Sequence, residues 1–163
     1  MKKKTVSPAS SKPLIWRHFD KPQPYAPIVE MMQAHTAAIR TEGAAEAVWL
    51  LQHEAIYTGG TSAREADLIA PGKIPAVRNG RGGQWTYHGP GQRIVYFMLN
   101  LDNKNKDIRK FITIIENSLI SFLSNYNVEA QAFKDRVGIW VTKSNNITFD
   151  KEKKIGAIGL RIK

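Results

Sequence analysis

The sequence contains no cysteine. A disulfide framework, a thiolate-rich zinc site, an iron–sulfur cluster and a cysteine nucleophile supplied by these 163 residues are all excluded by that count. Long apolar runs are missing too. The longest, Ile94 to Leu99, is far too short to cross a bilayer. Met1-Lys2-Lys3-Lys4 carries the charge of a signal-peptide start, but Thr5 to Pro13 supplies no apolar core behind it. Internal repeats, low-complexity tracts and a Gly-x-Ser-x-Gly nucleophile elbow are absent, and His18, His35, His53 and His88 show no metal-ligand spacing.

Acidic residues are scarce: 14 Asp and Glu stand against 24 Lys and Arg, a net charge of +10. Lys2, Lys3, Lys4 and Lys12 account for four of these charges, leaving +6 for the body. Such an excess suits nucleic acid, an anionic membrane surface or an acidic protein, and charge alone does not choose among them. Hydrophobic residues at 42% and charged residues at 23% are ordinary for a soluble domain of this length.

The pattern predicts a flexible basic tail over residues 1–13 and one layer-packed domain over 14–163. Leu14-Ile15-Trp16 opens a short strand. Pro27 to Arg40 reads as a helix with Ile28, Met31, Met32, His35, Ala38 and Ile39 on one face. Ala47 to Leu51 has the continuous apolar character of a strand buried on both sides. Turn chemistry then replaces periodicity from Gly59 to Gly91, and a strand resumes over Arg93–Leu101. From Asp107, an expected N-cap, residues Ile108, Phe111, Ile112, Ile115, Leu119, Phe122 and Leu123 mark one face of a second helix, with Asn127 as its stop. Two strands, Val137–Thr142 and Ile155–Ile162, follow, joined through Ser144-Asn145-Asn146. The class is α/β (α+β): a mixed sheet flanked by helices.

Two segments carry candidate chemistry. Five glycines between Gly80 and Gly91 let backbone amides approach a ligand, with Arg81, Thr86, Tyr87 and His88 supplying donors and acceptors. This spacing matches neither the dinucleotide-binding fingerprint nor a phosphate-binding loop, and a surface hairpin explains the glycines equally well. Arg81-Gly82-Gly83 also suits nucleic acid, but such segments are usually repeated, and this one is single. In Lys153 to Arg161, a lysine opens an apolar strand whose Gly156, Ala157 and Gly159 leave one surface low; a solvated charge cluster on an edge strand explains the same residues.

Arg81-Gly82-Gly83-Gln84-Trp85-Thr86-Tyr87-His88-Gly89-Pro90-Gly91-Gln92 closely resembles the signature of bacterial lipoyl(octanoyl) transferases. The resemblance continues through Val48–Glu54, Tyr57–Gly60, Val137–Val141 and Lys154–Arg161. It implies the fold shared by biotin and lipoate protein ligases. It also implies transfer of an octanoyl group from octanoyl-acyl carrier protein to a lysine of a lipoyl domain, the first step of protein lipoylation. The implied acceptors are the lipoyl domains of 2-oxoacid dehydrogenase complexes and the glycine cleavage H protein. No cofactor, metal, nucleic acid or membrane is implied, and the setting is cytoplasmic.

By the same resemblance Arg81, Gly82, Gly83, Gln84, Trp85, Thr86, Tyr87 and His88 line the acyl pocket, and Ala157, Ile158 and Gly159 form a second wall. Lys154 matches the lysine that lowers the pKa of a cysteine nucleophile. In the family that cysteine follows the strand corresponding to Ile155–Ile162, in a Pro-Cys-Gly context. The chain is therefore expected to correspond to the first part of such an enzyme and not to turn over alone. Two other readings stand beside this one: a non-catalytic acyl or carrier-protein binding module, and an adenylating enzyme like the lipoate and biotin ligases, which needs no cysteine.

Overall fold

A computed structural model describes residues 12–104 and 106–162, so the tail expected over 1–13 lies almost wholly outside the described residues. The chain divides into two compact units, residues 1–105 and 106–163.

In the first unit, β1 (Ile15–His18) runs parallel to β2 (Ala47–Leu51), and α1 (Tyr25–Thr41) connects them. Parallel neighbours cannot be joined by a tight turn, which is why a helix fills the crossover. Ile28 and Ile39 of α1 pack with Ala47, Trp49 and Leu51 of β2 and Met98 of β6 (Ile94–Met98), which pairs antiparallel with β2. Four of the five β2 residues are buried, as the continuous apolar run requires. On α1, Met31 departs from the expected face and stands 41% exposed, one position beyond the stripe that meets the sheet.

A second sheet, β4-β3-β5, occupies the glycine-rich stretch read as turns alone. Its strands are β3 (Ile56–Gly59), β4 (Ala76–Arg78) and β5 (Trp85–His88). Each is too short to display a period of two, so pairing, not sequence rhythm, defines them.

In the second unit, α2 (Ile108–Ser124) packs on β7 (Val128–Phe133) and β8 (Arg136–Ser144). The Asp107 carboxylate accepts from the Lys110 amide at 2.9 Å, the expected N-cap. Asn127, at φ 56°, turns the chain out of the helix toward β7. β9 begins at Ile147 and ends at Gly156, so the strand expected over 155–162 is displaced toward the N-terminus. The reason is the two-residue turn Asn145-Asn146, both at positive φ, which pairs β9 with β8 immediately. No helix among the described residues is long and apolar enough to cross a membrane.

Candidate functional site

β5 places its residues alternately on two faces. Thr86 and His88 lie with Thr58 and Ile56 of β3, whereas Trp85 and Tyr87 lie with Gly59 and Tyr57. The segment Arg81–His88 therefore does not present one continuous lining. Trp85, Tyr87 and Tyr57 border an open pocket of about 270 Å³ that Thr86, Leu68, Ile69 and Pro71 also line. Trp85 is fixed there by its indole N–H, which donates to the Arg64 carbonyl at 2.8 Å.

The other face holds a polar cluster. The His53 imidazole is fully buried at 0% exposure. Its Nδ1 lies 3.0 Å from the Gln23 carbonyl, an acceptor only, so Nδ1 carries the proton. Nε2 then accepts from the Tyr96 hydroxyl at 2.9 Å. His88 is pinned by the same logic. Its Nδ1 donates to Oε1 of Gln92 at 2.7 Å, and its Nε2 accepts from the Thr58 hydroxyl at 3.1 Å. Tyr25 stacks on His88 and meets His53 edge-on.

Burial holds both imidazoles below their ordinary pKa of 6.5. The bond to the Gln23 carbonyl opposes this at His53; at His88 the bond to Gln92 opposes it, while His53 and Arg81 add to the depression. Burial likewise raises the Tyr96 phenol well above its usual range. Both imidazoles are therefore neutral around neutral pH, with both ring nitrogens of each satisfied by neighbouring side chains or backbone.

Arg81, expected to supply donors to a ligand, is engaged with the loop itself. Its Nη2 donates to the Thr58 carbonyl at 2.6 Å, the Gln84 carbonyl at 3.0 Å and the Thr58 hydroxyl at 3.0 Å, and its Nη1 donates to the Gly82 carbonyl. Both Nη groups thereby order the loop. Gly60 sits beneath it: a Cβ there would collide with the carbonyl oxygens of Gly82 and Gly83. Gly82, Gly83 and Gln84 are exposed.

Lys154, Ala157, Ile158 and Gly159 belong to the second unit. Lys154 stands opposite Trp140 in the β8–β9 ladder. Ala157 and Gly159 are exposed and Ile158 half-buried, in chain without regular structure after β9. No cluster of metal-ligating side chains occurs among the described residues. Sequence reasoning gave no site role to Tyr25 or Tyr96, and none to Thr58 or Gln92 although both lie in the motifs it quoted. Thr58 and His88 share one face of two adjacent strands, a signal visible only once the register is known.

Comparison with known proteins gives a consistent picture. The family model for the lipoyl protein ligase A/B catalytic domain matches residues 24–163. An octanoyltransferase of Parvibaculum lavamentivorans is 47% identical over 148 residues, covering 91% of this chain and 65% of that protein. One from Cereibacter sphaeroides is 45% identical over 144 residues, covering 86% and 66%. One from Nitrobacter winogradskyi is 44% identical over 160 residues, covering 98% and 68%. The chain thus spans about two thirds of the length of the curated relatives it matches. Among solved structures, a bi-partite lipoate protein ligase from Thermoplasma acidophilum matches in fold, with TM-score 0.56 at 16% identity over 86% of this chain and 52% of that one.

Proposed function

Because the chain belongs to the lipoyl protein ligase A/B catalytic-domain family, we propose that it provides the acyl-binding part of an octanoyltransferase. The substrate is octanoyl-acyl carrier protein, the acceptor is a lysine of a lipoyl domain, and the setting is the bacterial cytoplasm. Lipoyl domains of 2-oxoacid dehydrogenase complexes and the glycine cleavage H protein are the acceptors this reading names. The observation that carries it is the ordered Arg81–His88 segment, backed by neutral His53, which is buried, and His88, which is half-buried, in a chain 44–47% identical to octanoyltransferases.

The reaction is thioester exchange. A cysteine thiolate attacks the octanoyl carbonyl and the carrier's thiol leaves; the acceptor amine then attacks the enzyme thioester, forming the amide and releasing the thiolate. Lys154 favours the thiolate by placing an ammonium beside the sulfur. The 163 residues hold no cysteine, so the sulfur comes from outside them. Acyl carrier proteins are acidic, and the +10 charge suits their electrostatic steering.

The test incubates the chain with octanoyl-acyl carrier protein and apo lipoyl domain, alone and with the cysteine-bearing segment of an octanoyltransferase added. Octanoylated domain is expected only with the added segment. Turnover by the chain alone overturns the external-thiol reading, and pyrophosphate release from ATP with octanoate moves the assignment to a ligase.

A further inference from the structure

Val137-Gly138-Ile139-Trp140-Val141 is not accounted for by the acyl pocket. It forms the middle of β8, and in the ladder Trp140 pairs with Lys154 while Ile139 pairs with Gly156. One extra residue, Ile155, is therefore inserted in β9. Such a bulge bends the strand and re-aims the neighbouring side chain. The Lys154 side chain leans along β8 toward Gly138, two residues from Trp140 on the same face. A Cβ at position 138 would lie 2.6 Å from Cε of Lys154, 3.2 Å from its Nζ and 2.6 Å from the Gly156 carbonyl oxygen. Gly138 also sits at φ +127°, where side-chain-bearing residues are strained.

Nζ of Lys154 lies 5.3 Å from the centre of the Trp140 ring, within cation–π reach. The Arg136 guanidinium approaches the same ring at 4.3 Å, but it is ion-paired with Glu152. Lys154 has no carboxylate partner among the described residues. Arg136 is thus neutralised locally, and the Lys154 ammonium keeps its charge and its N–H donors for another group.

We propose that Gly138 and Trp140 are positioning residues that seat the Lys154 side chain, Gly138 by leaving room for its methylenes and Trp140 by holding its ammonium on the ring. The functional meaning of this seat rests on the reading of Lys154 as the group that favours a thiolate.

The test is nuclear magnetic resonance of the full chain with isotope-labelled lysine. Ring current from Trp140 shifts one lysine ε-methylene resonance upfield of the rest, and Lys154→Arg, which removes that resonance, assigns it. The upfield shift is expected to vanish in Trp140→Leu and Gly138→Ala and to persist, reduced, in Trp140→Phe. Absence of an upfield lysine signal, or its persistence in Trp140→Leu, overturns the seat. Should Trp140→Leu lose the amide dispersion of the folded chain, Gly138→Ala decides, and an unmoved resonance there overturns the proposal. The measurement uses no thiol and no acyl substrate. A seat that stands while Lys154→Met, which removes the cation, still supports transfer with the added cysteine segment would defeat the thiolate reading alone.

Discussion

The Thr58 hydroxyl donates to Nε2 of His88 across the β3–β5 pair at 3.1 Å. That bond fixes the direction of the chain around it. With Gln92 accepting at Nδ1, His88 holds one tautomer, and Thr58 takes in return a donor from Arg81. Two residues separated by 30 positions thus join the loop-ordering arginine to the imidazole at the end of β5.

Thr58→Val removes the hydroxyl and keeps the shape. It leaves Nε2 of His88 without its donor, while Nη2 of Arg81 keeps the Thr58 and Gln84 carbonyls. We expect a loss of about 1–3 kcal/mol in unfolding free energy, read from urea denaturation. Thr58→Ser, which keeps the hydroxyl, should recover most of it.

Stability should fall as pH drops. His53 and His88 have folded pKa values below the ordinary 6.5, so just below 6.5 the unfolded chain binds more protons than the folded one. Their contribution is full above 6.5 and is lost as pH falls through that value toward the depressed folded ones. Denaturation midpoints measured from about pH 7.5 to about pH 5 should decline, and His88→Gln should flatten the decline.

Gly60→Ala places a methyl group against two backbone carbonyl oxygens and the Arg81 guanidinium. Backbone cannot step aside as a flexible side chain does. The substitution should cost roughly 1–3 kcal/mol by urea denaturation and disorder the Arg81 loop, seen as faster amide exchange at Gly82 and Gly83.

The β8–β9 turn offers a control outside the candidate pocket. Asn146 holds φ +70°. Asn146→Val should destabilise by about 1–2 kcal/mol, whereas Asn146→Gly should be neutral or stabilising by thermal unfolding.

Long elements were legible in the sequence. The apolar stripe of α2 and its Asp107 cap, and the continuous run of β2, produce local signals strong enough to read directly. β4, with three residues, and β5, with four, produce none; their order comes from pairing with β3. β9 was misplaced because Asn145-Asn146 reads as an ordinary polar connection until both residues are seen at positive φ. The Arg81–His88 segment was visible as a candidate site, but the alternation that divides it between two faces was not. His53 drew notice in the sequence for lacking metal-ligand spacing, yet it is fully buried, with the Gln23 carbonyl and the Tyr96 hydroxyl satisfying both ring nitrogens.

Recognition of an octanoyl group carried by acyl carrier protein is the core of the proposed function. Titration calorimetry with octanoyl-acyl carrier protein and with the unacylated carrier tests it directly. The octanoyl form should bind at least about 10-fold more tightly, and His88→Ala should abolish the difference while the chain stays folded. Equal affinity for the two carriers, or an octanoyl preference untouched by His88→Ala, would contradict it.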